Sequence, residues 1–252
     1  MSVGYAIVTG AGNGMGEATV RKLHQLGYVV GLSDINRERI EALQAELGVA
    51  TFALPTDVTD ETSVIEAFGR FDKEAGPASV LICCAGGTRA TQDHQPGFLD
   101  ITLEDWIRTE AVNSRSAFLC TREFLKLRRD RPVERGRVVL TSSTAAFRSA
   151  RFGAGAAYSA SKAAVVAIGR AAAAEAATMG ITVNVIAPGG FNTDAYHLTT
   201  RAEQMQSQLA SIPLQRLGEV EEFAALAAFL VSKEAGYITG ATIDLNGGAR
   251  MP

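Results

Sequence analysis

The chain of 252 residues is predicted to fold as a single α/β domain around a doubly wound parallel sheet of about seven strands, with helices on both faces. Three observations predict this architecture. Short apolar runs alternate with longer amphipathic stretches, which is the pattern of parallel strands joined by crossover helices. A glycine-dense turn separates the first apolar run from the first amphipathic stretch. No shift in composition divides the chain, and a chain of this length can bury one large core.

The elements are predicted in strict alternation. Strands are predicted near 4–9, 28–33, 50–55, 78–84, 137–142, 181–187 and 241–245. Helices are predicted near 14–26, 36–47, 60–74, 102–129, 156–179 and 219–232. Three longer connections, at 86–101, 144–156 and 189–218, follow the ends of predicted strands. Because ligands bind at the carboxyl edge of open α/β sheets, these connections are expected to form substrate loops.

Composition excludes several classes of function. The net charge of −3 and the pI near 5.7 give no basic surface for nucleic acid. The three cysteines, Cys83, Cys84 and Cys120, are too few for a disulfide framework and are expected to be reduced. Cys83 and Cys84 are adjacent on a predicted strand and are expected to face opposite sides of the sheet.

Metal, membrane and secretion signals are also missing from the sequence. The histidines His24, His94 and His197 have no metal-ligand spacing, so no metal site is predicted. No apolar run is long enough to span a membrane, and the first strand begins too close to Met1 to leave room for a signal peptide. These observations predict a cytoplasmic protein that binds neither membrane nor nucleic acid.

The glycine-dense turn has the pattern T-G-x-x-x-G-x-G, formed by Thr9, Gly10, Gly14 and Gly16. A glycine turn between a strand and the beginning of a helix directs backbone N–H groups and the helix dipole at one point. A pyrophosphate can approach that point closely. Asn13 and Met15 lie within the same turn. A glycine-rich hairpin or linker is the alternative, but the periodic segments on both sides argue against it.

A tyrosine and a lysine lie four residues apart, Tyr158 and Lys162, on the same face of a predicted helix. A phenol ordinarily loses its proton near pH 10. An ammonium group beside it is expected to lower that pKa and allow general acid–base catalysis at ordinary pH. By itself this spacing is common on solvated helix faces.

Taken in order, these motifs resemble the short-chain dehydrogenase/reductase family over nearly the whole chain, and the family implies a Rossmann-type fold. The turn from Thr9 to Gly16 is similar to its cofactor turn, and Tyr158-x-x-x-Lys162 to its catalytic pair. Further matching segments are Asp57-Val58, Cys84-Ala85-Gly86, Asn113 within 112–114, Ser142-Ser143, Pro188-Gly189 through Thr193, and Asn246-Gly247-Gly248.

The resemblance implies a catalytic tetrad of Asn113, Ser143, Tyr158 and Lys162. Tyr158 would transfer the proton, Lys162 would lower its pKa and hold the nicotinamide ribose, and Ser143 would polarise the substrate oxygen. Asn113 would fix a water that relays protons from Lys162. Ser142 competes with Ser143 for the serine role.

The cofactor is predicted to be NAD. Asp34 ends the second predicted strand, where a carboxylate accepts hydrogen bonds from the adenosine ribose and repels a 2′-phosphate. No Arg or Lys follows it directly, and Arg37 is three residues away. A strand-end turn aspartate is the alternative reading. The resemblance adds a set of cofactor-binding residues: Thr9, Gly10, Asn13, Gly14, Met15, Gly16, Asp57, Val58, Ala85, Gly86, Tyr158, Lys162, Pro188, Gly189 and Thr193.

Three departures from the family pattern stand out. Cys84 replaces the usual Asn, and a thiol hydrogen-bonds only weakly. Asn246 replaces the usual Asp near the C-terminus. The interval between Ser143 and Tyr158 is longer than usual, which predicts an enlarged loop.

The favoured function is an NAD-dependent alcohol dehydrogenase or ketone reductase acting on a secondary alcohol, polyol or ketone. A 3-oxoacyl thioester reductase is the alternative, and a nucleotide-binding regulator without catalysis is the alternative of another class. Arg89, Arg148 and Arg151 are candidates for binding an anionic substrate, and solvated surface charge is their competing explanation.

Residues 192–211 are expected to form a mobile flap over the site, lined by Tyr196, His197, Leu198 and Met205. The helices predicted at 102–129 and 156–179 are rich in apolar residues. With the family resemblance, they predict a homo-oligomer, a tetramer.

Overall fold

The structure is a computed structural model that describes residues 3–88, 91, 93, 95–148 and 155–251. Its centre is one seven-stranded sheet in the order β3-β2-β1-β4-β5-β6-β7, with every neighbouring pair parallel. The strands are β1 (Gly4–Thr9), β2 (Tyr28–Asp34), β3 (Thr51–Pro55), β4 (Val80–Cys83), β5 (Gly136–Thr141), β6 (Ile181–Pro188) and β7 (Thr242–Leu245). The predicted doubly wound α/β fold is confirmed.

Nine α-helices occur among the described residues. They are α1 (Gly14–Gln25), α2 (Arg37–Leu47), α3 (Glu61–Glu74), α4 (Leu103–Glu110), α5 (Ser116–Asp130), α6 (Gly155–Ala176), α7 (Asp194–Thr199), α8 (Ala202–Ser211) and α9 (Val220–Val231). Short 3₁₀ turns occur at Thr144–Phe147 and Ala177–Met179.

Two apolar cores lie on opposite faces of the sheet. Helices α3, α5 and α6 pack on one face, where Phe68, Phe124 and Val165 are buried. Helices α1, α2 and α9 pack on the other, with Leu23, Ile40 and Phe223. Alternation along the strands supplies both cores, as in β1, where Ile7 faces one side and its neighbours face the other.

The cysteines follow the prediction. Cys83 belongs to the first core and Cys84 packs against the second, so the two face opposite sides of the sheet. Cys83, Cys84 and Cys120 are all free thiols.

Two sequence predictions need correction. The helix predicted over 102–129 is continuous but contains a π-helical turn at Ala111–Arg115, which divides α4 from α5. The connection at 189–218 was predicted as a loop, yet it contains α7 and α8. Thr193 caps α7 by accepting a hydrogen bond from the Tyr196 N–H, and a threonine before a helix is a local signal of its start.

The winding reverses between β1 and β4, because the chain builds β2 and β3 on one side of β1 before crossing to β4 on the other. In open parallel sheets the ligand crevice lies at such a reversal, outside the carboxyl ends of the strands. No helix among the described residues has the length and hydropathy needed to cross a membrane.

Candidate active site

The turn between β1 and α1 leaves no room for side chains. Gly10 and Gly14 have φ values of +67° and +54°. A Cβ on Gly10 would lie 2.7 Å from the backbone nitrogen of Ala85, and one on Gly16 would lie 1.9 Å from the carbonyl oxygen of Gly10. Asn13 is the N-cap residue of α1 and makes no side-chain capping bond. The turn therefore presents backbone N–H groups and a helix N-terminus beside the sheet reversal, as a dinucleotide pyrophosphate requires. The side chain of Met15 packs against the apolar core that lies under α1, α2 and α9.

Gly12 links this turn to β2, although the sequence analysis did not select it. Its N–H donates a 2.9 Å hydrogen bond to Oδ2 of Asp34, and the N–H of Asn36 donates a 2.8 Å bond to Oδ1. A Cβ on Gly12 would lie 3.1 Å from Oδ2 and 3.3 Å from Cβ of Arg39. Each carboxylate oxygen of Asp34 keeps a lone pair for a ribose hydroxyl. The available signal in the sequence was that Gly12 is the second of the four glycines in this turn.

The arginine that lies beside the glycine turn is Arg39 and not Arg37. The nearest cation was expected to be Arg37, but Arg37 pairs with Glu41 at 3.6 Å. Arg39 instead borders Gly12 because the first turn of α2 brings it back toward the glycine turn. The Cβ of an arginine therefore lies beside the glycine turn, which the sequence context of Asp34 did not reveal.

Asp57 and Val58 follow β3 at the same edge of the sheet. Oδ1 of Asp57 accepts hydrogen bonds from the N–H and the hydroxyl of Thr59, at 2.9 and 2.7 Å. Val58 is buried. The adjacent N–H of Thr56 donates to the carbonyl of Asp34, which holds the ends of β2 and β3 together.

Asn113 holds the chain that leaves β4. It lies in the π-helical turn and is 1% exposed. Its amide nitrogen donates to the carbonyls of Gly87 and Thr109, both at 2.8 Å, and its oxygen accepts from the Gly87 N–H at 3.1 Å. The side chain thus fixes the backbone beside Gly86, while its predicted role in a water relay stays a prediction. Ala85 donates its N–H to the hydroxyl of Thr9 at 3.3 Å.

Gly86 brings the catalytic candidates together. A Cβ at this position would lie 2.8 Å from Oδ1 of Asn113 and 2.8 Å from Nζ of Lys162. Residues from the end of β4, the π-helical turn and α6 therefore meet at one point. Any side chain here would displace one of the two polar groups.

Lys162 and Tyr158 lie one turn apart on α6, as predicted. Nζ of Lys162 donates a 2.9 Å hydrogen bond to the carbonyl of Thr141 and lies 5.7 Å from the centroid of the Tyr158 ring. Lys162 is 3% exposed and Tyr158 is half-buried. Burial lowers the pKa of Lys162 from 10.5 to about 8.

The pKa of Tyr158 is raised rather than lowered. Burial of the phenol raises it above 10, and the hydrogen bond with Ser143 opposes that rise. Lys162 is not among the groups that shift this pKa, and its Nζ is directed at the Thr141 carbonyl. Desolvation outweighs charge stabilisation in this arrangement.

The two competing serines have different partners. The Ser142 hydroxyl is buried and donates a 2.7 Å hydrogen bond to the carbonyl of Lys162. The Ser143 hydroxyl accepts from the Ala145 N–H at 3.1 Å and interacts with the Tyr158 phenol. Ser143 is thus the serine beside the tyrosine. The 3₁₀ turn that follows Ser143 absorbs part of the long interval before Tyr158.

The chain leaving β6 closes against the glycine turn. Pro188 ends β6, and the N–H of Gly189 donates to the carbonyl of Leu245 at 2.9 Å. A Cβ on Gly14 would lie 3.5 Å from the methyl group of Thr193. Thr193 and the glycine turn therefore face each other, as expected for two sides of a cofactor site.

The predicted substrate residues are dispersed. The Tyr196 hydroxyl donates to Oε1 of Gln208 at 2.6 Å and ties α7 to α8. Nε2 of His197 lies 2.8 Å from Oδ1 of Asn192 on the exposed side of α7. Arg148 is exposed after the 3₁₀ turn. Two further candidates, Arg89 and Arg151, lie outside the described residues.

A pair of glutamines joins two of the predicted substrate loops. Nε2 of Gln95 donates to Oε1 of Gln204 at 3.1 Å, and Nε2 of Gln204 donates to Oε1 of Gln95 at 2.6 Å. Nε2 of Gln95 also donates to the carbonyl of Thr199 at 2.9 Å. The bonds connect the chain after β4 with α7 and α8. Nothing in the sequence pattern marked this pair. No cluster of metal-ligating side chains occurs in the part of the chain that the structure describes.

Comparison with known proteins places this site in context. The profile of a family described as enoyl-(acyl carrier protein) reductase matches residues 10–250. The acetoacetyl-CoA reductase of Rhizobium meliloti (strain 1021) is 34% identical over 244 residues, covering 96% of this chain and 97% of the relative. The 2,3-dihydro-2,3-dihydroxybenzoate dehydrogenase of Bacillus subtilis (strain 168) is 32% identical over 261 residues, with coverages of 98% and 95%.

Solved structures agree with the sequence relatives. The 3-ketoacyl-(acyl-carrier-protein) reductase from Brucella melitensis, complexed with NADH, superposes with a TM-score of 0.87 at 26% identity. The match covers 99% of this chain and 99% of that one.

Proposed function

From the premise that this chain belongs to the short-chain dehydrogenase/reductase family and is a nicotinamide-dependent oxidoreductase, we propose that it interconverts a secondary alcohol and a ketone. In this proposal Tyr158 is the proton donor and acceptor, Ser143 binds the reacting oxygen, and Lys162 and Asn113 complete the site. The observation that carries the proposal is the convergence of Ser143 on Tyr158 and of Lys162 and Asn113 on Gly86.

The residues fit a dinucleotide on steric grounds. The glycine turn, Gly86 and Gly189 leave open backbone where a Cβ would collide, and Thr193 faces the turn. Asp34 would accept the ribose hydroxyls, with Asp57, Val58 and Ala85 at the same edge. The bound nicotinamide would supply or accept the hydride.

The chain's own residues would manage the proton. Burial keeps Tyr158 protonated, so the phenol is ready to donate to a ketone oxygen. Ser143 would donate a second hydrogen bond to that oxygen and stabilise its developing charge. Lys162, held by the Thr141 carbonyl, lies beside Gly86 where it would hold the nicotinamide ribose.

We propose NAD(H) as the preferred cofactor, because the anchored carboxylate of Asp34 would repel a 2′-phosphate. We expect Arg39 to counter part of this repulsion, since its Cβ borders the same turn.

Two substrate classes are candidates. The first is a secondary alcohol or ketone, favoured by the dihydrodihydroxybenzoate dehydrogenase among the relatives. The second is a 3-oxoacyl thioester, favoured by the acetoacetyl-CoA reductase. Exposed apolar side chains on the segments that the Gln95–Gln204 pair joins, Phe98, Leu99 and Leu198, would suit an apolar arm of either substrate. Arg148 and Arg151 remain the proposed contacts for an anionic group.

The test is a substrate panel followed at the absorbance band of reduced nicotinamide. Acetoacetyl-CoA, neutral ketones and anionic 3-oxo acids are offered with NADH and NADPH, and secondary alcohols with NAD⁺ and NADP⁺. Turnover that is abolished in Tyr158→Phe supports the proposal. NADH binding without turnover of any compound would instead favour a nucleotide-binding regulator.

We also propose that the chain is a cytoplasmic homotetramer. Exposed apolar side chains lie on α4 and α5, namely Leu103, Trp106, Ile107 and Phe118. An unpaired apolar surface of this kind is typical of an oligomer interface. Light scattering measures the mass, and a monomer would contradict the proposal.

A further inference from the structure

The chain after β7 folds back on itself around Asn246. Oδ1 of Asn246 accepts hydrogen bonds from the N–H groups of Gly248 and Arg250, at 2.9 and 3.4 Å. Nδ2 donates to the carbonyl of Arg250 at 3.2 Å. The turn thus uses both the donor and the acceptor of the amide. An aspartate at this position would place a carboxylate oxygen against the Arg250 carbonyl, with no proton between them.

This turn directs Arg250 toward the active-site segment. The Arg250 guanidinium forms an ion pair with Oδ2 of Asp244 on β7. Its Cζ lies 4.0 Å from the centroid of the Phe147 ring. The side chains of Arg250 and Asp244 are 22% and 15% exposed, so the pair is largely shielded from solvent. Shielding strengthens the ion pair, while Phe147 itself is 37% exposed.

Phe147 is the last residue of the 3₁₀ turn that begins directly after Ser143. That turn is bonded to Ser143 twice, because the hydroxyl accepts from Ala145 and the carbonyl accepts from the Ala146 N–H at 3.0 Å. A displacement of Phe147 is therefore transmitted over four residues to the Ser143 hydroxyl.

We infer that residues 246–250 form a clamp on this turn, and that Arg250 is a positioning residue for Ser143. The inference rests on the proposed function, which gives Ser143 its contact with the reacting oxygen. Asp244 pairs with the Arg250 guanidinium and fixes its direction, and Asn246 fixes the backbone of Arg250. The guanidinium then contacts the face of the Phe147 ring. The clamp acts on the orientation of Ser143 and leaves the dinucleotide turn untouched.

The test measures kcat and the Kd for NADH in Arg250→Ala, Arg250→Lys and Phe147→Leu, using the best substrate of the panel. A misplaced catalytic group costs a large rate factor, so Arg250→Ala and Phe147→Leu should lower kcat about tenfold. Arg250→Lys keeps the cation and should recover much of that loss. The Kd for NADH, measured by fluorescence, should stay unchanged. Arg21→Ala is the matched control, because it removes a partly exposed arginine paired with Glu17 and Glu46.

A double-mutant cycle separates positioning from a merely structural role. In a Ser143→Ala background the clamp has no hydroxyl to orient, so Phe147→Leu and Arg250→Ala should each cost less than about twofold. Equal losses with and without Ser143, or no loss in the single variants, would overturn the inference. If Arg250→Ala does not fold because Asp244 loses its partner, Phe147→Leu and Arg250→Lys carry the test, since both keep that ion pair. Failure of the proposed function would appear separately, as an active Tyr158→Phe enzyme.

Discussion

The backbone N–H of Gly12 donates a 2.9 Å hydrogen bond to Oδ2 of Asp34, joining the glycine turn to the end of β2. The bond holds a carboxylate at the edge of the dinucleotide site and fixes its direction. The Cβ of Arg39 borders the same glycine, so an acidic and a basic residue both lie beside Gly12. Cofactor choice is expected to depend on the balance between them.

The first prediction concerns that balance. Wild-type protein should prefer NAD(H), and Asp34→Ala should narrow the preference by removing repulsion toward a 2′-phosphate. The gain with NADP(H) should depend on Arg39, so Asp34→Ala/Arg39→Ala should lose it, whereas Asp34→Ala/Arg37→Ala should keep it. The ratio of kcat/KM for the two cofactors measures this. A wild-type enzyme that used NADP(H) as well as NAD(H) would contradict the prediction.

The second prediction concerns the space around Gly12. Gly12→Ala should weaken NADH binding about tenfold or more, because a tight Cβ contact must displace Asp34 or Arg39. Gly69→Ala is the matched control: Gly69 lies within α3, and its added Cβ would meet no atom within 4 Å. That change should leave NADH binding unaltered and stabilise the fold by up to ~1 kcal/mol. Equal NADH affinities for the two variants would count against the steric argument.

The third prediction separates the two serines. Ser143→Ala should lower kcat by about 10²-fold while leaving the unfolding midpoint close to wild type, because it removes the proposed donor to the reacting oxygen. Ser142→Ala should do the reverse: it removes a buried hydrogen bond to the Lys162 carbonyl and should cost about 1–3 kcal/mol of stability. Kinetics and urea unfolding on both variants decide the assignment, and it fails if Ser142→Ala is the slower enzyme at equal stability.

The sequence predicted the seven strands and the placement of the glycine turn, Tyr158 and Lys162, because these depend on local periodicity and on spacing within one helix. It could not predict contacts that arise only when distant segments meet. The Gln95–Gln204 pair and the approach of Arg39 to Gly12 have no local pattern. The raised pKa of Tyr158 could not be predicted for a related reason. The spacing of Tyr158 and Lys162 indicates that a charged group is near, but it does not indicate the burial that raises the pKa of the phenol.

The fourth prediction follows from the lowered pKa of Lys162. Between pH values of about 8 and 10.5, the unfolded chain binds more protons at this residue than the folded chain does, so the contribution of Lys162 to stability should rise with pH across that window. The gain is of the order of 3 kcal/mol, since one pKa unit corresponds to about 1.4 kcal/mol. In Lys162→Met the rise should disappear.

Denaturant unfolding at several pH values checks this rise. The quantity compared is the difference in stability between the two proteins at each pH, because the raised pKa values of Cys83, Cys84 and Tyr158 contribute the opposite slope to both. Parallel curves for the two proteins would show that Lys162 is not the group responsible.

The most direct test of the account is the Tyr158→Phe variant, measured for NADH binding and for turnover in the same preparation. The substitution removes only the phenol oxygen from a half-buried ring on α6. The account predicts an unchanged Kd for NADH together with a loss of turnover of ~10²–10⁴-fold, the usual contribution of a general acid. Turnover near the wild-type rate would contradict the assignment of Tyr158 as the proton donor.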